Sequence, residues 1–180
     1  LCHALVMEYA GQDLDKILAS RNEYSFRPAQ LFEIGLHLLP ALEAMHRCGV
    51  VHQDIKPENI VLKLSRRNSI FQVRLIDYGL AVRWDPHHKP HRKNRGAGTP
   101  RFCAWKQHLG HQGSPAMDME AFLYSLIYLS GKKFPWSNLN ISDAKLRSRS
   151  IAYLKRDANP QTLCAHLDHP TQDLSMASLL

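Results

Sequence analysis

Four polar residues stand at short, fixed intervals and could together carry out chemistry on an anionic group. Asp54, Lys56 and Asn59 lie in residues 52–59, which read H-Q-D-I-K-P-E-N, and Asp77 opens a D-Y-G tripeptide. A carboxylate can accept a proton, an ammonium group can neutralise negative charge, and carboxylate and amide oxygens suit magnesium. Any one of these residues alone would be an ordinary solvated charge on a loop. The four in this order indicate a site.

The two segments resemble the H-R-D-x-K-x-x-N catalytic loop and the D-F-G motif of protein kinases. The resemblance implies phosphoryl transfer, which depends on positioning and charge neutralisation more than on covalent catalysis. It implies that Asp54 accepts the proton of the substrate hydroxyl and that Lys56 neutralises charge on the transferred phosphoryl group. Asn59 and Asp77 would each hold a magnesium ion. The hydroxyl of Thr99 would hydrogen-bond Asp54 and Lys56.

Two features of the resemblance indicate the serine/threonine class of kinases. The K-P-E-N of residues 56–59 is typical of that class, whereas tyrosine kinases usually carry an Arg-rich variant. A Thr after Gly at residues 98–99 is typical of the substrate-binding end of the same class. We therefore expect the full-length form to phosphorylate serine and threonine residues on proteins, with ATP and Mg²⁺ as cofactors.

The first residues of the chain resemble the strand and hinge that bind adenine in kinases. On that resemblance Met7 is the gatekeeper, and Glu8 and Ala10 offer backbone groups to the edge of adenine. Val61 would form the floor of the adenine site. Asp118 resembles the buried Asp that begins the central helix of the fold and fixes the backbone of the catalytic loop.

Several further segments resemble the casein kinase I and vaccinia-related kinase group. Residues 98–102 (G-T-P-R-F) and 108–110 (H-L-G) match the casein kinase I pattern, and 104–106 (A-W-K) replace the usual A-P-E. Residues 134–136 (F-P-W) fit the same group, whereas 77–81 (D-Y-G-L-A) are closer to the vaccinia-related kinases. The subfamily stays open at this point.

Hydrophobic spacing indicates the elements that must position these residues. It predicts a helix between Pro28 and Gly49 and a buried central helix over residues 119–129. A further helix is predicted from a cap at Ser142-Asp143 to about Lys155. Short strands are predicted at residues 50–51, 60–64 and 73–76. The expected fold is α+β: the mainly helical C-terminal lobe of a kinase, with short β-hairpins and without the N-terminal lobe.

We expect residues 1–180 to form one partial kinase domain that comprises the hinge and the C-terminal lobe. The glycine-rich phosphate loop, the strand lysine and the helix glutamate that complete a kinase site are absent from the sequence. A truncated sequence and a natural one-lobe pseudokinase would both explain this, and we favour the first.

Gln53 stands where most kinases carry an Arg that receives a phosphate from the activation loop. Gln has no charge and cannot neutralise a phosphate. Residues 80–98 also contain no Ser, Thr or Tyr. We therefore expect that phosphorylation of the activation segment is not used as a switch.

Basic residues crowd the activation segment, and the chain has a formal net charge of +7. They are either solvated loop charges or an anion site for acidic or already phosphorylated substrates. The group resemblance supports an anion site, because Arg101 matches an anion-contacting position of the group, and the candidate site comprises Arg101 and Lys106. His87, His88 and His91 lack the Cys or carboxylate that would complete a zinc set. The basic residues concerned are Lys89, Arg92, Lys93, Arg95, Arg101 and Lys106.

Composition bounds the compartment and the partners. We expect neither a signal peptide nor a membrane-spanning helix, and the Cys residues form no C-x-x-C pair. An intracellular monomer in the cytoplasm or nucleus that acts on protein substrates is the leading expectation. A pseudokinase scaffold and a basic nucleic-acid or chromatin-binding module are the alternatives. The intact polar set argues against the first, and the lack of an aromatic ladder for base stacking argues against the second.

Overall fold

The computed structural model describes residues 6, 8–20, 25–64, 71–85, 87 and 98–164 of the chain. Helices dominate these residues, and short strands form two small antiparallel sheets. The helices are α1 (Leu14–Ala19), α2 (Pro28–Arg47), α3 (Trp105–His108), α4 (Pro115–Leu129), α5 (Ala144–Arg156) and α6 (Pro160–Cys164). The strands are β1 (Gln12–Asp13), β2 (Val50–Val51), β3 (Ile60–Leu64), β4 (Phe71–Leu75) and β5 (Val82–Arg83), with 3₁₀ turns at Pro57–Asn59 and Tyr78–Leu80. The α+β class predicted from the sequence is confirmed.

The larger sheet is built on the antiparallel pair β3–β4, to which β1 adds on the side of β3. In its register Ile60 pairs with Leu75, and Gln12 of β1 pairs with Leu62. Gly11 has φ +121°, and a Cβ at this position would lie 2.2 Å from the carbonyl oxygen of Leu62. Only glycine fits this contact without strain. The segment before β1 therefore lies directly against β3.

The smaller sheet joins the strand before the catalytic-loop motif to the strand after the D-Y-G motif. β2 pairs with β5, with Val50 opposite Arg83 and Val51 opposite Val82. β2 ends directly before His52, and β5 follows the 3₁₀ turn that comes after Asp77. The pairing therefore brings the two motifs together, although they are separated in sequence by the whole of β3 and β4.

α4 is the central helix of the described fold. Ser114 caps it by accepting a hydrogen bond from the backbone N–H of Met117 at 3.4 Å. Pro115 takes the first helical position, where a missing N–H costs little. Buried residues cover most of the circumference of α4, but Leu123 is 54% exposed, so the helix is not buried all round as its apolar run predicts. The helix begins before the predicted residue 119 because the Ser-Pro start signal lies upstream of that run.

Two clusters of buried side chains surround α4. One packs α1, α2 and the β3–β4 pair against it. The other lies beside residues 99–104 and includes Phe134 and Trp136, whose rings stack with centroids 4.7 Å apart. The indole N–H of Trp136 donates to the carbonyl oxygen of Arg101 at 3.0 Å. The second cluster thus connects the core to the turn that follows Gly98.

Element boundaries depart little from the sequence predictions. The predicted cap of α5 is confirmed, because Asp143 accepts a hydrogen bond from Leu146 N at 2.6 Å. β4 covers residues 71–75, not the predicted 73–76. None of the described helices combines the length and the apolar composition needed to cross a membrane.

Candidate active site

The backbone around the candidate catalytic residues is fixed by one buried carboxylate. Asp118 lies in the first turn of α4 and is 1% exposed. Its Oδ2 accepts a hydrogen bond from His52 N at 2.8 Å, and its Oδ1 accepts one from Gln53 N at 2.9 Å. Nε2 of His46, at the end of α2, lies 2.9 Å from the same Oδ2. The sequence predicted Asp118 as the anchor of this loop, and the geometry agrees.

His52 connects the loop to the strand that leads to Asp77. The ring is fully buried, and its Nδ1 accepts a hydrogen bond from Asp54 N at 3.3 Å. Nδ1 is therefore unprotonated, and Nε2–H donates to the carbonyl oxygen of Ile76 at 3.0 Å. One imidazole thus joins the backbone of Asp54 to the residue directly before Asp77.

Asp54, Lys56 and Thr99 form a closed network of charge-assisted contacts. Oδ1 of Asp54 accepts hydrogen bonds from the backbone N–H and from the hydroxyl of Thr99, both at 2.8 Å. Nζ of Lys56 lies 3.1 Å from Oδ2 of Asp54 and 3.0 Å from Oγ1 of Thr99. All three groups point into a partly buried space, where such contacts are stronger than on an open surface. The structure brings together the three residues that the sequence proposed as catalytic.

Asn59 and Asp77 lie at the same end of the β3–β4 pair. Ile76 N donates to the carbonyl oxygen of Asn59 at 2.9 Å, which extends the strand pairing to these two residues. Nδ2 of Asn59 donates to the carbonyl oxygen of Asp54 at 2.9 Å, so the amide oxygen is the atom of that side chain suited to a metal. Carboxylate and amide oxygens are hard donors of the kind that Mg²⁺ requires. The residues present therefore fit magnesium.

Asp77 has an unusual backbone conformation for a residue with a side chain. Its φ is 62°, and its Oδ1 accepts a hydrogen bond from Gly79 N at 3.2 Å. Among the described residues, Gln53 and Asp77 are the non-glycine residues with positive φ. Such strained conformations cluster at functional sites. In this structure they fall in the two motifs singled out from the sequence.

The candidate adenine-contacting residues have unequal surroundings. Val61 is 2% exposed and pairs with Asp13 of β1, while Ala10 is half-buried just before Gly11. The exposed carboxylate of Glu8 forms an ion pair with Lys63, which lowers the pKa of Glu8. Met7, the predicted gatekeeper, lies outside the described residues.

Gln53 is buried, and all of its polar groups have partners. Its Nε2 donates to Leu80 O at 2.6 Å, its Oε1 accepts from Gly113 N at 3.0 Å, and its carbonyl oxygen accepts from Gln107 Nε2 at 3.0 Å. A Cβ on Gly98 would lie 2.6 Å from that carbonyl oxygen. Gln53 thus joins the segment after Asp77 to α3 and to the loop before α4, and it does so with neutral groups.

The two candidate anion-binding residues each lie against a different aromatic ring. The guanidinium of Arg101 lies 5.4 Å from the ring centre of Tyr128, and Nζ of Lys106 lies 5.4 Å from the ring centre of Trp105. Both side chains are exposed. The other basic residues of this segment, at positions 89–95, lie outside the described residues.

Sequence reasoning missed the structural roles of His46, His52 and Lys155. His52 is the first residue of the catalytic-loop motif, and this position could have indicated a structural role for it. His46 ends a helix, where a His is commonly a surface residue near the helix dipole, so its bond to Asp118 gave no local signal. Lys155 carries an ordinary helical pattern and is nevertheless buried.

This geometry agrees with a comparison against protein families. The model described as "Protein kinase domain" matches residues 2–174, which is nearly all of the chain. The chain therefore belongs to the protein kinase family. Members of the family are transferases that bind ATP and phosphorylate protein substrates.

We expect Asp118→Asn to lower the free energy of unfolding by about 2–4 kcal/mol. The amide would present an NH₂ group to a backbone N–H where the carboxylate accepts, which leaves buried donors unpaired. Urea denaturation measures the change. Asp143→Asn is the matched control, because Asn caps a helix as well as Asp does and α5 should lose less than about 0.5 kcal/mol. Equal losses in the two variants would contradict the anchoring role of Asp118.

Proposed function

We propose that this chain is the hinge and C-terminal lobe of a serine/threonine kinase of the casein kinase I and vaccinia-related kinase group. The observation that carries the proposal is the network of Asp54, Lys56 and Thr99. A Thr in contact with both the candidate base and the lysine is typical of serine/threonine kinases. Residues 98–102 and 134–136 support the group.

Each residue of the site has a role in this proposal. Asp54 accepts the proton of the substrate hydroxyl and orients that oxygen. Lys56 neutralises negative charge that develops during transfer, and Thr99 fixes both side chains relative to the substrate-binding turn. Asn59 and Asp77 would hold Mg²⁺, which when bound neutralises charge on the phosphates of ATP.

We propose that the segment before β1 and the adjoining strand β3 form the nucleotide side of the site. Glu8 and Ala10 would offer backbone groups to adenine, Val61 would lie beneath it, and Met7 would be the gatekeeper. Gly11 supports this arrangement, because its close contact with β3 keeps the segment before β1 beside Val61. The phosphate-binding parts would belong to an N-terminal lobe in the full-length protein, which we propose to be an intracellular monomer.

The proposal is tested with Asp54→Asn in the full-length protein. The variant keeps the shape of the side chain and loses the base, so kcat for a serine peptide should fall by about 10²- to 10⁴-fold. Radiolabelled phosphate in the wild-type product should be found on Ser or Thr and not on Tyr. The exposed Asp157→Asn should retain wild-type turnover. Near-normal turnover by Asp54→Asn, or label on Tyr, would refute the assignment, and a wild-type protein without phosphotransfer would favour the scaffold.

Activity is also expected not to depend on phosphorylation of the activation segment. In many kinases a phosphate orders that segment by pairing with an Arg at the position of Gln53. Here the neutral amide of Gln53 bonds Leu80 and Gly113 directly, which supports a segment ordered without a phosphate.

Full-length protein treated with a broad phosphatase should therefore keep most of its rate. The rate is compared before treatment, after treatment and after incubation with ATP, and phosphosites are mapped by mass spectrometry. A large loss that is restored by rephosphorylation between residues 77 and 106 would disprove the expectation. A loss traced to another site would not.

The preference for acidic or already phosphorylated substrates is proposed from the charges of Arg101 and Lys106. Each guanidinium or ammonium lies over an aromatic ring and is exposed, so it can reach an anionic side chain of a bound peptide. Such contacts between exposed charges are individually weak and are screened over about 8 Å at physiological salt.

Reversal of both charges, Arg101→Glu with Lys106→Glu, should raise KM about tenfold for an acidic peptide and much less for a neutral one. Added salt should reduce the difference between the two peptides. Lys145→Glu, on the exposed side of α5, is the control for a general change in net charge. Equal effects of the double variant on both peptides would mean that these residues are only solvated loop charges.

A further inference from the structure

A buried lysine in the last turn of α5 has no role in the site described so far. Lys155 is 4% exposed, and its Nζ donates to the carbonyl oxygen of Pro100 at 2.9 Å and to that of Cys103. Nζ also lies 3.3 Å from Nε2 of His108. Lysine is almost never fully buried unless its ammonium group is paired or fully hydrogen-bonded. The two carbonyl oxygens accept from the ammonium group, and Nε2 of His108 is a third acceptor in the tautomer that is protonated at Nδ1.

The surroundings of Nζ are largely aromatic. The rings of Tyr124 and Trp136 lie with their centres 5.0 Å and 5.4 Å from Nζ. An ammonium over aromatic faces is attracted by the ring quadrupole, and the attraction is greater when water is excluded. Lys155 is therefore a buried charged donor, aimed at the backbone of one turn.

The turn that Lys155 bonds is the one that carries Thr99 and Arg101. Phe102 N and Cys103 N both donate to the carbonyl oxygen of Thr99, at 2.9 Å and 2.8 Å, and close the turn. The carbonyl oxygens of residues 100, 101 and 103 receive bonds from Lys155 and from Trp136. At the other end, Thr99 bonds Asp54. The turn is thus fixed between the candidate base and a lysine from a different helix.

We propose that Lys155 is a positioning residue for substrate binding, acting through the backbone of residues 99–104. It does not contact the substrate or Asp54. By fixing the carbonyl groups of Pro100 and Cys103 it sets where Thr99 and the side chain of Arg101 lie. The inference deepens the proposed function and rests on it, because it assigns the turn to the peptide substrate.

Stability and substrate binding should respond differently to loss of this charge. Lys155→Met removes the desolvation cost of a buried charge, but it leaves two buried carbonyl oxygens without their donor, and unpaired buried groups are destabilising. The two contributions to stability oppose each other. Lys155→Met should therefore leave the protein folded while the two carbonyl groups lose their donor. A purely structural lysine would affect stability, ATP binding and peptide binding together.

The pH dependence of peptide binding can distinguish Lys155 from the titratable groups around it. Burial lowers the pKa of Lys155 to about 8 and that of His108 to about 4, and it raises the pKa of Cys103 to about 11. Burial also raises the pKa of Tyr124, which donates a hydrogen bond to Glu120. Between about pH 7 and pH 9, Lys155 is thus the member of this cluster that changes charge, and its neutral amine forms weaker bonds.

The effect of pH on the stability contributed by Lys155 is opposite in sign to its expected effect on peptide binding. Burial lowers the pKa of Lys155 from its ordinary value of 10.5 to about 8 in the folded protein. Between those values the unfolded chain binds more protons, so the contribution of Lys155 to stability rises with pH. An alkaline loss of peptide binding therefore cannot be explained by unfolding that starts at Lys155.

The experiment compares wild type, Lys155→Met and the exposed control Lys145→Met in the full-length protein, with an acidic serine peptide and ATP. For Lys155→Met, kcat/KM for the peptide should fall by at least tenfold, while KM for ATP stays within twofold and the melting temperature changes by only a few degrees. In wild type, KM for the peptide should rise as pH passes about 8, and this rise should be absent in Lys155→Met. Lys145→Met should match wild type throughout.

Amide hydrogen exchange gives a readout that needs no turnover. The amides of Phe102 and Cys103 should exchange at least tenfold faster in Lys155→Met than in wild type, and those of α4 should not. Unchanged exchange in this turn would overturn the inference even if the wild-type protein were inactive. Parallel losses in peptide kinetics, ATP KM and melting temperature would also overturn it. Absence of wild-type phosphotransfer with faster exchange in the turn would count against the proposed function and not against the positioning role.

Discussion

The site depends on the carboxylate of Asp118, which binds the backbone N–H groups of two consecutive residues. Two backbone N–H groups that point into the core need hydrogen-bond acceptors, because an unpaired buried donor is costly. The acceptor is placed by α4, whose start is fixed by a Ser-Pro signal and whose sides are buried in both apolar clusters. Because His52 and Gln53 are bonded to this rigid helix, Gln53 can keep a left-handed backbone conformation. That turn in the chain presents Asp54 to the cleft.

From this anchor, three connections lead to the groups that would meet substrate and nucleotide. The imidazole of His52 connects the loop to the residue before Asp77. The amide of Asn59 connects it to the end of the β3–β4 pair. Thr99 joins the carboxylate of Asp54 to the turn after Gly98. The contacts are short and mostly buried, so a shift of any one element would change the relative positions of the proposed base and the proposed metal ligands. Hydrogen bonds that satisfy buried backbone groups thus hold these loop residues in place.

Much of the fold and of the candidate site could be predicted from the sequence, because the patterns that indicate them lie within short stretches of the chain. Residues 52–59 and 77–79 contain their chemistry within a few positions, and the helices have clear periodicity and caps, as at Asp143. What could not be predicted depends on contacts between distant segments. The bonds of Gln53 to Leu80 and Gly113, and those of Lys155 to Pro100, join residues whose types are unremarkable in their own neighbourhoods. The contact of Arg101 with the ring of Tyr128 is of the same kind, since the two residues lie far apart in sequence.

The close packing around Gln53 limits which regulatory chemistry this domain could acquire by single substitutions. A Cβ on Gly113 would lie 2.5 Å from Cγ of Gln53, and one on Gly98 would lie 2.6 Å from its carbonyl oxygen. The close contacts couple the three residues: a larger residue at Gly113 would displace the side chain of Gln53, and one at Gly98 would press on its backbone carbonyl. If, as proposed, this segment works without a phosphate, dependence on one would take two changes. One is an arginine at position 53, which would give up the bonds of the Gln53 amide to Leu80 and Gly113, and the other is a phosphorylatable residue within residues 80–98. Two substitutions and not one would thus separate this segment from control by a phosphate.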